Sequence, residues 1–135
     1  YLRRGLCSCV THVMPRLRQG WYEDYNRTQD YYAWKLYRGG AAPHPLPGWL
    51  AKEIVADHLS CPSMLCVLLL QDWMAIDEQL RLPDAGAERI NIPANPHHYW
   101  RYRMHINIED LLANTPYNNT IKDLITEAGR HLNNK

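Results

Sequence analysis

The chain contains no phenylalanine, yet it carries nine tyrosines and five tryptophans. Its aromatic side chains therefore nearly all have polar tips, which suits half-wet faces. Long apolar runs are missing as well. The longest, Met64 to Leu70, falls far short of the roughly 20 residues that a bilayer-crossing helix needs, so no membrane partner is expected. The N-terminal stretch lacks the apolar core of a secretory signal. Neither sign of charge is in excess: a formal net charge of +1 over 135 residues removes the electrostatic basis for binding nucleic acid. The cysteines Cys7, Cys9, Cys61 and Cys66 have no CxxC spacing and no histidine at finger spacing, so they read as reduced thiols of a cytosolic protein. His97, His98 and His105 lack a supporting carboxylate or cysteine, so neither a metal nor any other cofactor is expected. Ser60 and Ser63 lack the glycine elbow of a serine hydrolase.

What is present reads as one globular domain with 46% hydrophobic and 21% charged residues, without repeats or low-complexity segments. Gly5 to Val10 reads as a short buried strand and Met14 to Gln19 as a loop. Trp21 to Tyr37 has near-helical spacing of Trp21, Tyr25, Tyr32 and Leu36, acids in its first turn, and Gly39-Gly40 to end it. Leu50, Ile54 and His58 mark a second helix from Pro47 to Leu59. Its Glu53 and Asp57 form a like-charge pair expected to be solvated. The unalternating run Met64 to Leu70 fits a parallel strand buried on both faces. A short helix follows to Ile76, then a polar stretch to Ala87. Asn107 is placed to cap a helix over 108–113. Thr115 is placed to cap a last helix that begins with Pro116, buries Ile121, Leu124, Ile125 and Ala128, and closes at Gly129.

The most telling segment runs from Glu88 through Asn91, Pro93, Asn95 and Pro96 into Tyr99-Trp100-Arg101-Tyr102-Arg103. Its prolines exclude a helix and stiffen the backbone, while amides, guanidiniums and aromatic planes project from it. That combination suits a hydroxyl-rich ligand such as a sugar; the alternative is a loop that packs its aromatics and pairs its arginines. Arg101 and Arg103 alternate, so one of them is expected in a structural salt bridge.

Three motifs, Thr11-His12-Val13-Met14-Pro15-Arg16-Leu17-Arg18-Gln19-Gly20-Trp21, Pro62 to Trp73, and the Asn-Pro loop, occur in an order and spacing that resembles one family. It is the 4-α-glucanotransferases (amylomaltases or disproportionating enzymes) of glycoside hydrolase family 77, and the likeness runs from about Leu6 to about Arg130. The resemblance implies an α/β fold, the C-terminal part of a (β/α)8 TIM barrel. Residues 1–87 would be its seventh and eighth strand–helix units, 88–104 the substrate-side loop and 105–135 the closing helices. A complete barrel takes roughly 250 residues. The chain also starts at Tyr1 rather than Met, so it is expected to be a piece of a longer protein that needs the preceding barrel as partner. As a separate chain it is expected to be marginally stable, self-associating or partly disordered, because open parallel strand edges invite pairing.

The activity the resemblance implies is retaining transfer of α-1,4-glucan segments between maltooligosaccharides, in the cytoplasm. Such chemistry uses two carboxyls about 5–5.5 Å apart, and in the family these lie upstream of the part this chain resembles. The family's third carboxylate follows the histidine of a Ser-Thr-His-Asp motif. Here the motif reads Val10-Thr11-His12-Val13, so Val13 stands at the stabilising Asp. Valine offers no charge to a cationic transition state, and losing one preorganised electrostatic partner costs about 10²–10³ in rate. The chain alone is therefore expected to be inactive. By the same resemblance, His12 and Asn91 would bind sugar. Trp73 and Trp100 would either stack on glucose rings or pack within the protein. Asp72 and Gln71 lie at the mouth of the last strand; Asp72 reads as a catalytic acid or, in preference, as a brace for the Asn-Pro loop acting through Arg89.

Overall fold

The computed structural model of the chain describes residues 5–8, 17–92 and 94–130. The stretch 9–16, with Val10, His12 and Val13, lies outside the described residues. Two strands, β1 (Leu6–Ser8) and β2 (Leu65–Val67), pair in parallel with Leu6 opposite Leu65, Cys7 opposite Cys66 and Ser8 opposite Val67. Between them run α1 (Leu17–Glu23), α2 (Tyr25–Asp30), a π-helical turn (Tyr31–Lys35) and α3 (Gly48–Leu59). After β2 come α4 (Leu70–Met74), a 3-10 turn (Ala85–Glu88), α5 (Ile108–Ala113) and α6 (Thr115–Glu127). The unit is thus a small mixed helix–strand assembly around a parallel crossover.

The centre is α3. Leu50, Ala51, Ile54, Val55 and Leu59 are buried along it, the spacing of one broad helical face. Leu50, Ala51 and Ile54 pack with Trp21, Tyr32, Ala42, Leu46 and Ala75, and the Trp21 indole donates to the Pro43 carbonyl at 2.9 Å. Val55 and Leu59 pack with Leu124 of α6, with Cys66, Leu68 and Trp73 against them. Each such aliphatic side chain contributes about 1.5–3 kcal/mol on full burial. Both ends of α3 are tied by distant residues. Glu78 accepts the Gly48 amide at 2.6 Å, and a side chain at Gly48 would meet the Ile76 carbonyl at 2.9 Å, so only glycine fits there. At the other end the Arg130 guanidinium donates to the carbonyls of Leu59, Cys61 and Ser63. Arg130 is placed for this by Gly129, whose φ of +69° ends α6.

Several local expectations are corrected. The segment over 21–37 is not one helix: Asp24 takes an extended conformation and accepts the Arg27 amide at 3.1 Å, so a new helix starts there. Helix also begins earlier than expected, at Leu17, inside the stretch read as a loop. The turn out of it is made by Tyr37, with φ of 52°, ahead of Gly39 and Gly40. The apolar run 64–70 yields only a three-residue strand, and it is not buried on both faces. Cys66 faces the α3 core, whereas Leu65 and Val67 are 55% and 52% exposed, because nothing among the described residues covers that side. Asn114 rather than Thr115 caps α6, accepting the Tyr117 amide at 3.2 Å. Asn107 does stand at the N-cap of α5, with extended backbone, but its side chain accepts no helix amide and its amide group donates to the Asp110 carboxylate at 3.2 Å. Glu53 and Asp57 are not merely solvated: they pair with Arg38 at 2.7 Å and Lys35 at 3.0 Å.

Candidate functional site

The segments singled out in the sequence converge on α1. Its first amide, Leu17 N, donates to the Asp72 carboxylate of α4 at 3.1 Å. That carboxylate also takes the Leu69 amide at 3.4 Å and is 1% exposed. An acidic side chain at a helix N-terminus satisfies a free amide and complements the positive end of the dipole. One residue on, Arg18 turns inward. Its guanidinium meets the Glu88 carboxylate at 2.5 Å and donates to the Leu82 carbonyl at 2.6 Å and the Pro83 carbonyl at 3.2 Å. Both side chains of this pair are almost fully buried, at 4% and 1% exposure. At the far end of α1, Glu23 pairs with Arg89 at 2.9 Å, and the Arg89 Nε donates to the Asn91 carbonyl at 2.9 Å.

The outcome is a clamp. Two adjacent residues of the loop, Glu88 and Arg89, grip α1 at two points, and Arg89 holds the Asn91 backbone. Asp72 joins the same helix to α4. Asp72 and Arg89 therefore act on opposite ends of α1, and the ion-pair partner of Arg89 is Glu23. Gln71 is buried beside Asp72. Trp73, half-buried, packs with Val55, Leu59 and Leu124. Trp100 and Tyr99 are exposed, and the Arg101 guanidinium lies 5.8 Å from the Tyr99 ring centre, a cation–π arrangement. Neither Arg101 nor Arg103 forms a salt bridge among the described residues, which corrects the ion pair expected there. The loop's own turn is made by Asn95, whose side chain accepts the His97 amide at 3.0 Å, and the His98 ring meets the Ile90 carbonyl at 2.9 Å.

Electrostatics at the clamp follow from burial. Burial pushes the Glu88 carboxyl above the usual carboxylate range, with the Arg18 charge opposing it. Among the described residues, one buried Glu88 oxygen finds no hydrogen-bond partner, nor does the Tyr102 hydroxyl, which burial and then the Glu88 carboxylate hold above its ordinary range. A carboxyl with raised proton affinity is what acid catalysis requires. Glu88, however, is sealed from solvent and committed to Arg18, so its chemistry here is structural. The Arg18–Glu88 pair was not singled out in the sequence. Its signal was there: opposite charges stand inside two of the three conspicuous motifs. Among the described residues, no group of three or more His, Cys, Asp or Glu side chains is arranged to hold a metal, and no helix is long and apolar enough to cross a membrane.

Comparison with known proteins adds a separate line of evidence. The sequence profile of the 4-alpha-glucanotransferase family matches residues 1–109. A protein of Oryza sativa subsp. japonica named 4-alpha-glucanotransferase DPE2 is 34% identical over 130 residues, covering 96% of this chain and 14% of the rice protein. The chain thus spans about a seventh of the length of that curated relative. No solved structure matches the chain.

Proposed function

The chain belongs to the 4-alpha-glucanotransferase family, and from that premise we propose that it forms the seventh and eighth strand–helix units and closing helices of a longer protein's barrel. In that setting it lines the α-glucan cleft, with His12 and Asn91 as sugar contacts, Trp100 as a stacking surface and Trp73 beside the core. Arg89 supports the loop directly, and Asp72, with Gln71 buried beside it, supports it only through α1. The whole protein would transfer α-1,4-glucan segments between maltooligosaccharides in the cytoplasm. The carrying observation is the α1 clamp. Glu88, Arg89 and Asp72 fix the Asn91 loop and α4 to the helix that begins five residues after His12, so all three conspicuous motifs meet on one element. The open face of β1 and β2 further supports a larger sheet: Leu6, Leu65 and Val67 are all more than half exposed.

Mechanistically, this chain's share is to bind and orient. Asn91 offers amide donors and acceptors to sugar hydroxyls from a backbone held by Arg89, and His12 offers an imidazole. The nucleophile and acid/base would come from upstream barrel strands. Val13 favours a second reading, a relative or degenerate copy that binds α-glucan without turning it over, because valine cannot stabilise an oxocarbenium-like transition state. Glucose release from maltotriose tests the activity of this chain. The chain and its Val13→Asp variant should both release none, since neither holds a catalytic pair. Release by the unmodified chain would overturn this assignment of roles.

A further inference from the structure

Where β1, β2 and the C-terminal end of α3 meet, three cysteines that were expected to be reduced thiols come together. Cys7 of β1 stands directly across the ladder from Cys66 of β2. Cys7 and Cys61 line one cleft of about 470 Å³ together with Leu6, Ser8 and His58. The Arg130 guanidinium sits 3.6 Å from the Cys61 sulfur while it holds the Cys61 and Ser63 carbonyls at 2.7 and 2.8 Å. The Cys66 thiol donates to the His58 carbonyl at 3.5 Å and shares a hydrogen bond with Cys7, but it lacks the Arg130 contact that Cys61 has. A fixed cation beside one sulfur, a second thiol next to it and a cleft that reaches both are the ingredients of a reactive pair.

We propose that Cys61 and Cys7 form a peroxide-reactive thiol pair in which Cys61 is the attacking sulfur, Cys7 resolves it, and the product is a Cys7–Cys61 disulfide. The Cys61 thiolate attacks one oxygen of a hydroperoxide; the O–O bond breaks, Cys61 becomes a sulfenic acid, and the other oxygen leaves as hydroxide or alkoxide and takes a proton. The Cys7 sulfur then attacks the Cys61 sulfur, the S–O bond breaks, and water departs with the Cys7 proton. Two thiols lose two electrons in all, and the peroxide gains them.

The division of roles follows from the surroundings. Cys61 is partly buried, which opposes ionisation, but its sulfur accepts hydrogen bonds from the Cys7 thiol and the Ser63 backbone and faces Arg130. The balance holds it below the ordinary thiol range. Cys7 is pushed up to about 12 by burial and then by donation to Cys61, so it stays protonated as the donor. Burial raises Cys66, followed by the Cys61 charge. The disulfide would tie β1 to the segment between α3 and β2, closing the cleft across its mouth.

The test is site-resolved alkylation of the chain with iodoacetamide at pH 7, in native buffer and in urea, followed by hydrogen peroxide and fragment-ion mapping without reductant. Cys61 should react about tenfold faster than Cys7 and Cys66 in native buffer, and the three should converge in urea, since the difference comes from the folded surroundings. Peroxide should then give a Cys7–Cys61 link that dithiothreitol reverses. In Cys7→Ser it should instead leave a sulfenic acid on Cys61 that dimedone captures. Equal alkylation rates in native buffer, or a peroxide-induced bond joining any other pair, would overturn the proposal.

Discussion

Arg18 and Glu88 meet at 2.5 Å with almost no solvent on either side chain, so each depends on the other. Removing one partner of a buried pair leaves an uncompensated charge and costs roughly 3–5 kcal/mol. Glu88→Gln should lose stability on that scale in urea denaturation. Replacing Arg18 and Glu88 together by apolar residues should recover most of the loss. The pH dependence of a second residue can be worked out in sign. Burial and then the Asp77 carboxylate push Tyr117 from 10.0 up to about 12, so the folded chain holds this proton more tightly than the unfolded chain. The stability Tyr117 contributes is therefore complete below about pH 10 and is lost as pH rises toward about 12. Urea midpoints of wild type should fall across that window more steeply than those of Tyr117→Phe, which has no hydroxyl to ionise.

At the level of elements, ends matter more than interiors. The α6 start is held by Asn114, and replacing an N-cap by alanine typically costs about 1 kcal/mol. Asn114→Ala should destabilise by about that much in urea, while Thr115→Ala, whose hydroxyl only reaches the Ala113 carbonyl at 3.5 Å, should change little. The same contrast explains what could be read from sequence. The helix through Leu50 and Ile54 was legible because its face has a clean helical period, and Gly129 because few other residues end a helix with positive φ. The break at Asp24 was not, since the aromatic spacing runs straight through it while the carboxylate takes up the Arg27 amide. The exposure of Leu65 and Val67 was not either: an apolar run records what a strand would tolerate on its faces, not which segments cover them.

For the whole molecule, family membership was legible because it rests on ordered motifs rather than on local propensity, and the profile match over residues 1–109 agrees with it. The parallel pairing of β1 with β2 also follows the expected strand–helix–strand order. The clamp that joins the motifs was less accessible. It depends on Arg18 finding Glu88 across 70 positions of chain, a pairing that charge alone does not select from 15 basic and 14 acidic residues. The central claim is that this assembly presents a sugar-binding edge through Asn91 without completing the chemistry. Calorimetric titration of maltoheptaose into the chain and into Asn91→Ala tests it most directly. Saturable binding by the chain is expected, with a loss of about tenfold or more in affinity for Asn91→Ala, the scale of one buried hydrogen-bonding group. Equal affinities for the two proteins, or no heat of binding from either, would contradict it.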